Sequence, residues 1–377
     1  MADLILTGAA VFDGTRRLTA QALVITEGAV AAVVPEAEAP AGPRLALNGG
    51  TLAPGLIDLQ VNGGGGAMLN GTAPDQIATI CAAHGRLGTT GLMPTLITDT
   101  PAATEAVIAA GITATDRVPG FLGLHLEGPH LDPTRPGCHP PGLIRAMTDD
   151  DLALYLHAAR ALPALIITLA PASVRADQIA ALAQAGVVVC LGHSECSHAA
   201  AQAAQLAGAR GVTHLFNAMS QLTGREPGLV GAALTLPFAA GLIADGIHVH
   251  PANLRLALAA KPDGLFLVSD AMAVAGTGMT EFPLAGRRIL RRDGALRLEN
   301  GTLAGADLSL PQAIRYLIAE LGVAPETALA MATSRPAALI GARAGRIAPG
   351  LPADLVHFDA DWHLTGIWQG GVAVQAN

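Results

Sequence analysis

Eight apolar stretches of strand length recur through the middle of the chain: Leu56–Val61, Gly91–Ile97, Phe121–Glu127, Leu165–Ala170, Val187–His193, Gly211–Phe216, Ala239–Asp245 and Leu265–Asp270. Most finish on a polar residue or glycine. Nearly continuous hydrophobicity of this kind predicts strands buried on both faces, as in a parallel sheet. Ala-rich stretches of helical length lie between several of them, at Asp75–Leu87, Asp149–Ala161, Arg175–Ala185 and His198–Ala207. Strands alternating with helices build a barrel or a doubly wound sheet, and eight of them point to an α/β fold with a (β/α)8 TIM-type barrel. The link from Phe216 to Ala239 is rich in Gly and Pro and interrupts the pattern. Beyond the eighth strand, a hairpin is expected over Arg287–Leu298 around Asp293-Gly294, then helices near Leu308–Leu321 and Pro325–Ile340.

The two ends read differently. Short strands at Leu4–Thr7, Ala10–Phe12, Ala22–Thr26 and Ala29–Val34 are separated by the turn pairs Asp13-Gly14 and Glu27-Gly28, and Asp354–Phe358, His363–Trp368 and Val372–Val374 repeat that texture. Residues 1–52 and 345–377 are therefore expected to form a small β-sandwich domain, with the catalytic barrel over 53–344.

Apolar residues make up 51% of the 377 positions and charged residues 14%, which predicts a large core and excludes disorder. Aromatics are only 3%, so Ala, Val, Ile and Leu must fill that core. With 22 basic against 30 acidic residues and no block of like charge, a nucleic-acid surface is not expected. An anionic small ligand would need a local pocket of positive groups. Met1–Ile5 lacks the pattern of a secretion signal, and no apolar run of about 18 residues suggests a membrane span. Cys81, Cys138, Cys190 and Cys196 read as reduced thiols of a cytoplasmic protein.

In such a barrel the chemistry sits where strands end at the C-terminal face. Those ends carry His125-Leu126-Glu127, Gly192-His193, Thr213-His214, Asp245-Gly246-Ile247-His248 and Ser269-Asp270. A single strand-end His is ordinarily a core or capping residue. Five strands of eight delivering His, Glu or Asp to one rim is a different matter. Two imidazoles and one carboxylate with an open position are the donor set of a hydrolytic metal site, which Glu127, His193 and His214 match. Asp270 is placed to accept the proton of a metal-activated water. Cys190, His193 and Cys196 resemble a metal knuckle, but strand alternation sends Cys190 and His193 to opposite faces. Gly63–Gly66 lacks the Lys-Ser/Thr of a phosphate loop and reads as a turn. His157, His357 and His363 read as structural, and His84 shows no evident partner.

Pro54-Gly55-Leu56-Ile57-Asp58, His125-Leu126-Glu127-Gly128-Pro129, Gly192-His193-Ser194, Thr213-His214-Leu215-Phe216-Asn217-Ala218-Met219-Ser220, Arg225-Glu226-Pro227-Gly228, Ala244-Asp245-Gly246-Ile247-His248 and Val268-Ser269-Asp270-Ala271 together carry a resemblance. The chain resembles the N-acetylglucosamine-6-phosphate deacetylase family of the amidohydrolase superfamily over nearly its whole length. The resemblance implies a metal-dependent homodimer that removes acetate from an N-acetylhexosamine 6-phosphate. It places the metal on Glu127, His193 and His214, the acid/base on Asp270, and carbonyl polarisation on His139. It places substrate contacts at Asn217, Ala218 and His248, and at Cys138, Leu303, Ala304 and Gly305. Arg225 matches a phosphate-binding Arg supplied by the neighbouring subunit.

The departures matter as much. Many amidohydrolases carry His-x-His at the end of the first strand, where this chain has Gln60-Val61-Asn62. Amides are poor ligands for transition metals, so one divalent ion per subunit is expected, zinc first, with iron, cobalt or manganese acceptable to the same donors. His130, Pro136, Cys138, Gly224 and Met272 also depart from the family pattern and are expected to line the substrate entrance. The competing readings are a deacetylase of the galactosamine epimer or of another amide, and a non-catalytic barrel that binds a sugar phosphate.

Overall fold

Every residue of Leu56–Val61 is buried, which only a strand covered on both faces achieves. In the computed structural model, which describes residues 2–71, 73 and 75–375, this strand (β1) opens an eight-stranded parallel sheet. It is followed in spatial and chain order by β2 (Thr89–Ile97), β3 (Leu124–Glu127), β4 (Leu165–Leu169), β5 (Val188–Leu191), β6 (Gly211–Val212), β7 (Ala239–Leu242) and β8 (Leu265–Leu267). Just beyond β8 the chain returns to β1: Val61 bridges Ala271, Asp270 N–H donates to Gln60 O at 3.0 Å, and Asn62 N–H donates to Ala271 O at 2.8 Å. The expected (β/α)8 barrel is thereby closed. Met1, Ala376 and Asn377 of the expected terminal domain lie outside the described residues.

Helices α1 (Gln76–Gly85), α2 (Pro101–Ala114), α3 (Asp149–Ala161), α4 (Ala176–Gln184), α5 (His198–Leu206), α6 (Gly228–Thr235), α7 (Pro251–Ala260) and α8 (Leu310–Ala319) follow the strands in turn. Local sequence starts them where capping chemistry allows. At α3, Thr148 Oγ1 accepts from Asp151 N–H at 3.2 Å and the Asp151 carboxylate accepts from Thr148 N–H at 2.8 Å. Helix α6 occupies the Gly- and Pro-rich link that interrupted the pattern. The helix expected over 325–340 is two, α9 (Pro325–Met331) and α10 (Ser334–Ile340), broken at Thr333.

Several strands stop short of their apolar runs. β6 covers two residues of the six expected, and β8 three of six. The cause is backbone geometry: His193, His214, Phe216, Ala218 and Asp270 all take positive φ, between 31° and 80°. Non-glycine residues adopt that region at a cost, and such residues gather at functional sites.

The N-terminal segment enters two further sheets and the C-terminal segment one of them. One runs Val372–Ala373, Leu364–Gln369, Leu355–Phe358, Thr51–Pro54, Ala10–Phe12, Arg17–Leu18; the other runs Ala29–Pro35, Gln21–Thr26, Leu4–Thr7, Arg44–Ala46. Leu6, Leu23 and Ile25 of the second share an apolar cluster with Val11, Leu52, Leu355 and Trp368 of the first. His357 is structural there, donating to Gly49 O at 2.8 Å. His84, which showed no partner in the sequence, has one: its Nε2–H donates to Gly63 O at 3.0 Å and steadies the turn at Gly63–Gly66.

Entry into β3 depends on Gly123, at φ +135°, where a Cβ would come within 2.1 Å of Ala164 O. Gly123→Ala should cost about 2 kcal/mol or more. The expected result is a lower denaturation midpoint than the parent protein; an equal midpoint refutes it.

Candidate active site

The strand ends deliver their side chains to one cavity of about 370 Å³ at the C-terminal mouth of the barrel. Glu127 from β3, His193 after β5 and His214 after β6 meet there. His193 Nε2 lies 3.3 Å and His214 Nε2 3.0 Å from Glu127 Oε1, and the two nitrogens are 3.1 Å apart. Three donor atoms at these separations match three corners of a tetrahedron whose centre is about 2 Å from each, the bond length of a protein-bound zinc. His193 Nδ1–H donates to Arg135 O at 2.8 Å, which leaves the Nε2 lone pair for the centre. Burial pushes Glu127 up, but the adjoining imidazoles of His193 and His214 outweigh it and hold the carboxylate well below its usual range. His214 is raised despite burial by the hydrogen bond and charge of Glu127. Lone pairs and negative charge converge where a cation fits.

His139 forms an alternative group with Glu127 and His193, their donor atoms lying within 4.8 Å of one another. Its hydrogen bonds give it another role. Thr98 N–H donates to His139 Nδ1 at 3.2 Å, Thr98 Oγ1 lies 2.8 Å from the same nitrogen, and Nε2 faces Glu127 at 3.9 Å. Burial and the neighbouring His193 keep the ring neutral. In the tautomer that accepts from Thr98 N–H, Nε2 carries the proton and can donate to a carbonyl oxygen. Glu127, His193 and His214 form the tighter set, their donor atoms lying 3.0–3.3 Å apart. His139→Ala should lower kcat by about 10²-fold or more while the bound metal stays. Loss of the ion, measured by metal analysis, would make His139 a ligand instead.

Asp270 stands opposite. Asn62 Nδ2 donates to its Oδ1 at 2.7 Å, and Gln60 Nε2 reaches Asp270 Oδ1 at 3.3 Å and Glu127 Oε1 at 3.2 Å. The two amides that stand where many amidohydrolases carry His-x-His thus point N–H donors at both carboxylates. Burial, then the charge of Glu127, pushes Asp270 up to about 6.

Asn217, Ala218, Cys138, Leu303 and Gly305 also line the cavity, whereas Ala304 is buried behind it. His248 lines it too: Nδ1–H donates to Asp245 Oδ2 at 2.6 Å and its buried Nε2 has no partner among the described residues. Burial pushes the Cys138 thiol up to about 12, so it is no nucleophile. Arg225 is exposed and does not line the cavity of its own chain. Of the departures expected at the entrance, Cys138 and Met272 are there. His130 is not: it is fully buried, with Nε2 3.0 Å from Tyr155 Oη. Pro136 and Gly224 also lie outside the lining. Cys190 is a buried free thiol and no knuckle forms. Sequence reasoning passed over Thr98, which directly follows β2, and named Asp245 only as a strand end, although its three-residue spacing to His248 signalled their pairing.

Residues 51–374 match the amidohydrolase family. The chain belongs to the amidohydrolase family. As an amidohydrolase it is a hydrolytic, amide-cleaving enzyme of a metal-dependent family. It is 42% identical to the N-acetylgalactosamine-6-phosphate deacetylase of Shewanella sp. (strain ANA-3), over 87% of this chain and 84% of that one. It is 35% identical to the human N-acetylglucosamine-6-phosphate deacetylase, over 89% and 88%. Among solved structures it superposes on N-acetylglucosamine-6-phosphate deacetylase from Pasteurella multocida with a TM-score of 0.95, at 32% identity, covering 99% of this amidohydrolase and all of that chain. Among its described residues, no helix is long and apolar enough to cross a membrane.

Proposed function

We propose that this amidohydrolase removes acetate from N-acetyl-D-glucosamine 6-phosphate to give glucosamine 6-phosphate. The observation that carries the reading is the convergence of Glu127, His193 and His214 within 3.3 Å, facing Asp270 across one cavity. One divalent ion per chain, zinc first, would be held by those three residues. Such an ion lowers the pKa of a water molecule and polarises the acetyl oxygen.

The chain's own groups supply the rest. His139 Nε2–H donates to the acetyl oxygen as negative charge develops there. Asp270 takes a proton from the attacking water and returns it to the sugar nitrogen as the C–N bond breaks. Asn62 and Gln60 hold Asp270 in register. Asn217, Ala218 and the open Nε2 of His248 face the sugar phosphate, with Cys138, Leu303 and Gly305 shaping its walls. We place the protein in the cytoplasm as a homodimer, with Arg225 reaching the neighbouring cavity and residues 1–52 and 345–377 acting as one β-sandwich domain.

The galactosamine epimer is the second reading, favoured by the 42% identity to the Shewanella enzyme. Acetate release from the two 6-phosphate epimers decides between them. The higher kcat/KM is expected on the gluco substrate; a higher value on the galacto substrate selects the second reading, and turnover of neither refutes both.

A further inference from the structure

Glu281–Leu284, Arg287–Arg292, Ala295–Leu298 and Leu303–Ala306 form a four-stranded sheet outside the barrel strands. It is seated on the end of β8. Ala306 N–H donates to Asp270 O at 2.9 Å, and at Gly305, φ +64°, a Cβ would come within 2.8 Å of the same oxygen. The sheet is therefore held in register with the catalytic strand and brings Arg297, Gly301 and Thr302 to the cavity wall.

Among the described residues lining that cavity, Arg297 is the one Lys or Arg. Its neighbours on the sheet are engaged elsewhere. Arg288 pairs with Glu281 at 2.6 Å, Arg291 pairs with Asp307 at 2.7 Å, and Arg287 donates to Cys138 O. Arg297 gives one N–H to Gly301 O at 3.0 Å and, among the described residues, forms no ion pair. Its guanidinium is exposed, so its other donors are open. The same cavity carries Glu127 and Asp270, whose charges repel an anion. A substrate with a neutral amide at one end and a phosphate at the other needs a cation away from those carboxylates, and a guanidinium offers two parallel N–H donors to phosphate oxygens.

The geometry points to Arg297 as a specificity-determining residue that pairs with the substrate's phosphate from within the same chain. This rests on the hexosamine 6-phosphate reading above. It also means that phosphate recognition is not left to Arg225 of another subunit.

The test compares kcat/KM of the holoenzyme on an N-acetylhexosamine 6-phosphate and on the same sugar without phosphate. The parent enzyme should prefer the phosphorylated sugar. Arg297→Gln should shrink that preference by about tenfold or more, through KM, and Arg297→Lys should restore part of it. Arg292→Gln, an exposed change on the same sheet, should leave it as it was, with melting temperatures alike throughout. An undiminished preference in Arg297→Gln overturns the inference, as does an equal loss on both substrates, which would mark a packing role. A parent enzyme with no preference overturns the substrate reading itself and the inference with it.

Discussion

Asp270→Asn is expected to lower kcat by about 10²–10⁴-fold while leaving the metal content unchanged. The substitution keeps shape and an oxygen for Asn62 Nδ2 to bond, but removes the basicity that accepts a proton. Asp270 is not one of the three converging donors, so the ion has no reason to leave. The pH profile carries the same information. A base must be deprotonated to act, and burial with the charge of Glu127 sets this carboxyl at about 6. Activity is therefore present above that value and lost as the pH falls through it, a bound cation moving the limb lower still. Near-parental turnover in Asp270→Asn would remove the residue from the mechanism.

His193→Ala should act differently. It takes away one corner of a three-donor site whose atoms lie 3.0–3.3 Å apart, and should cost both ion and activity. Loss of partners outside the ligand set commonly costs 10–100-fold in metal affinity or activity, so loss of a ligand should exceed about 100-fold. The paired readout separates the two variants: Asp270→Asn is metal-full and slow, His193→Ala metal-poor and slow. If His193→Ala kept its full metal complement, the ligand assignment would fail.

The barrel and its rim were legible because strands buried on both faces write continuous apolar runs, and because chemistry at strand ends can be read without knowing any loop. Glu127, His193, His214 and Asp270 lie on those ends. What escaped depends on contacts between distant segments. His139 sits in an irregular loop and is oriented by Thr98, 41 residues away, so only the family resemblance singled it out. His130 was expected at the entrance because it departs from the family pattern, yet the ring is buried with Nε2 3.0 Å from Tyr155 Oη. The strand ends were overextended since hydrophobicity does not register the left-handed residues that aim His214 and Asp270. The hairpin itself was signalled by Asp293-Gly294, but nothing local tells that Arg297 stands at the cavity wall.

Gln60 and Asn62 bear on the central claim, a lone ion, because they point N–H donors at the carboxylates of Glu127 and Asp270. The most direct measurement strips the enzyme with chelator, returns divalent metal stepwise, and plots acetate release from the hexosamine 6-phosphate against metal bound. Activity should begin near zero, rise in proportion and level at one ion per chain. A plateau at two ions, or undiminished activity in the stripped enzyme, would contradict the account.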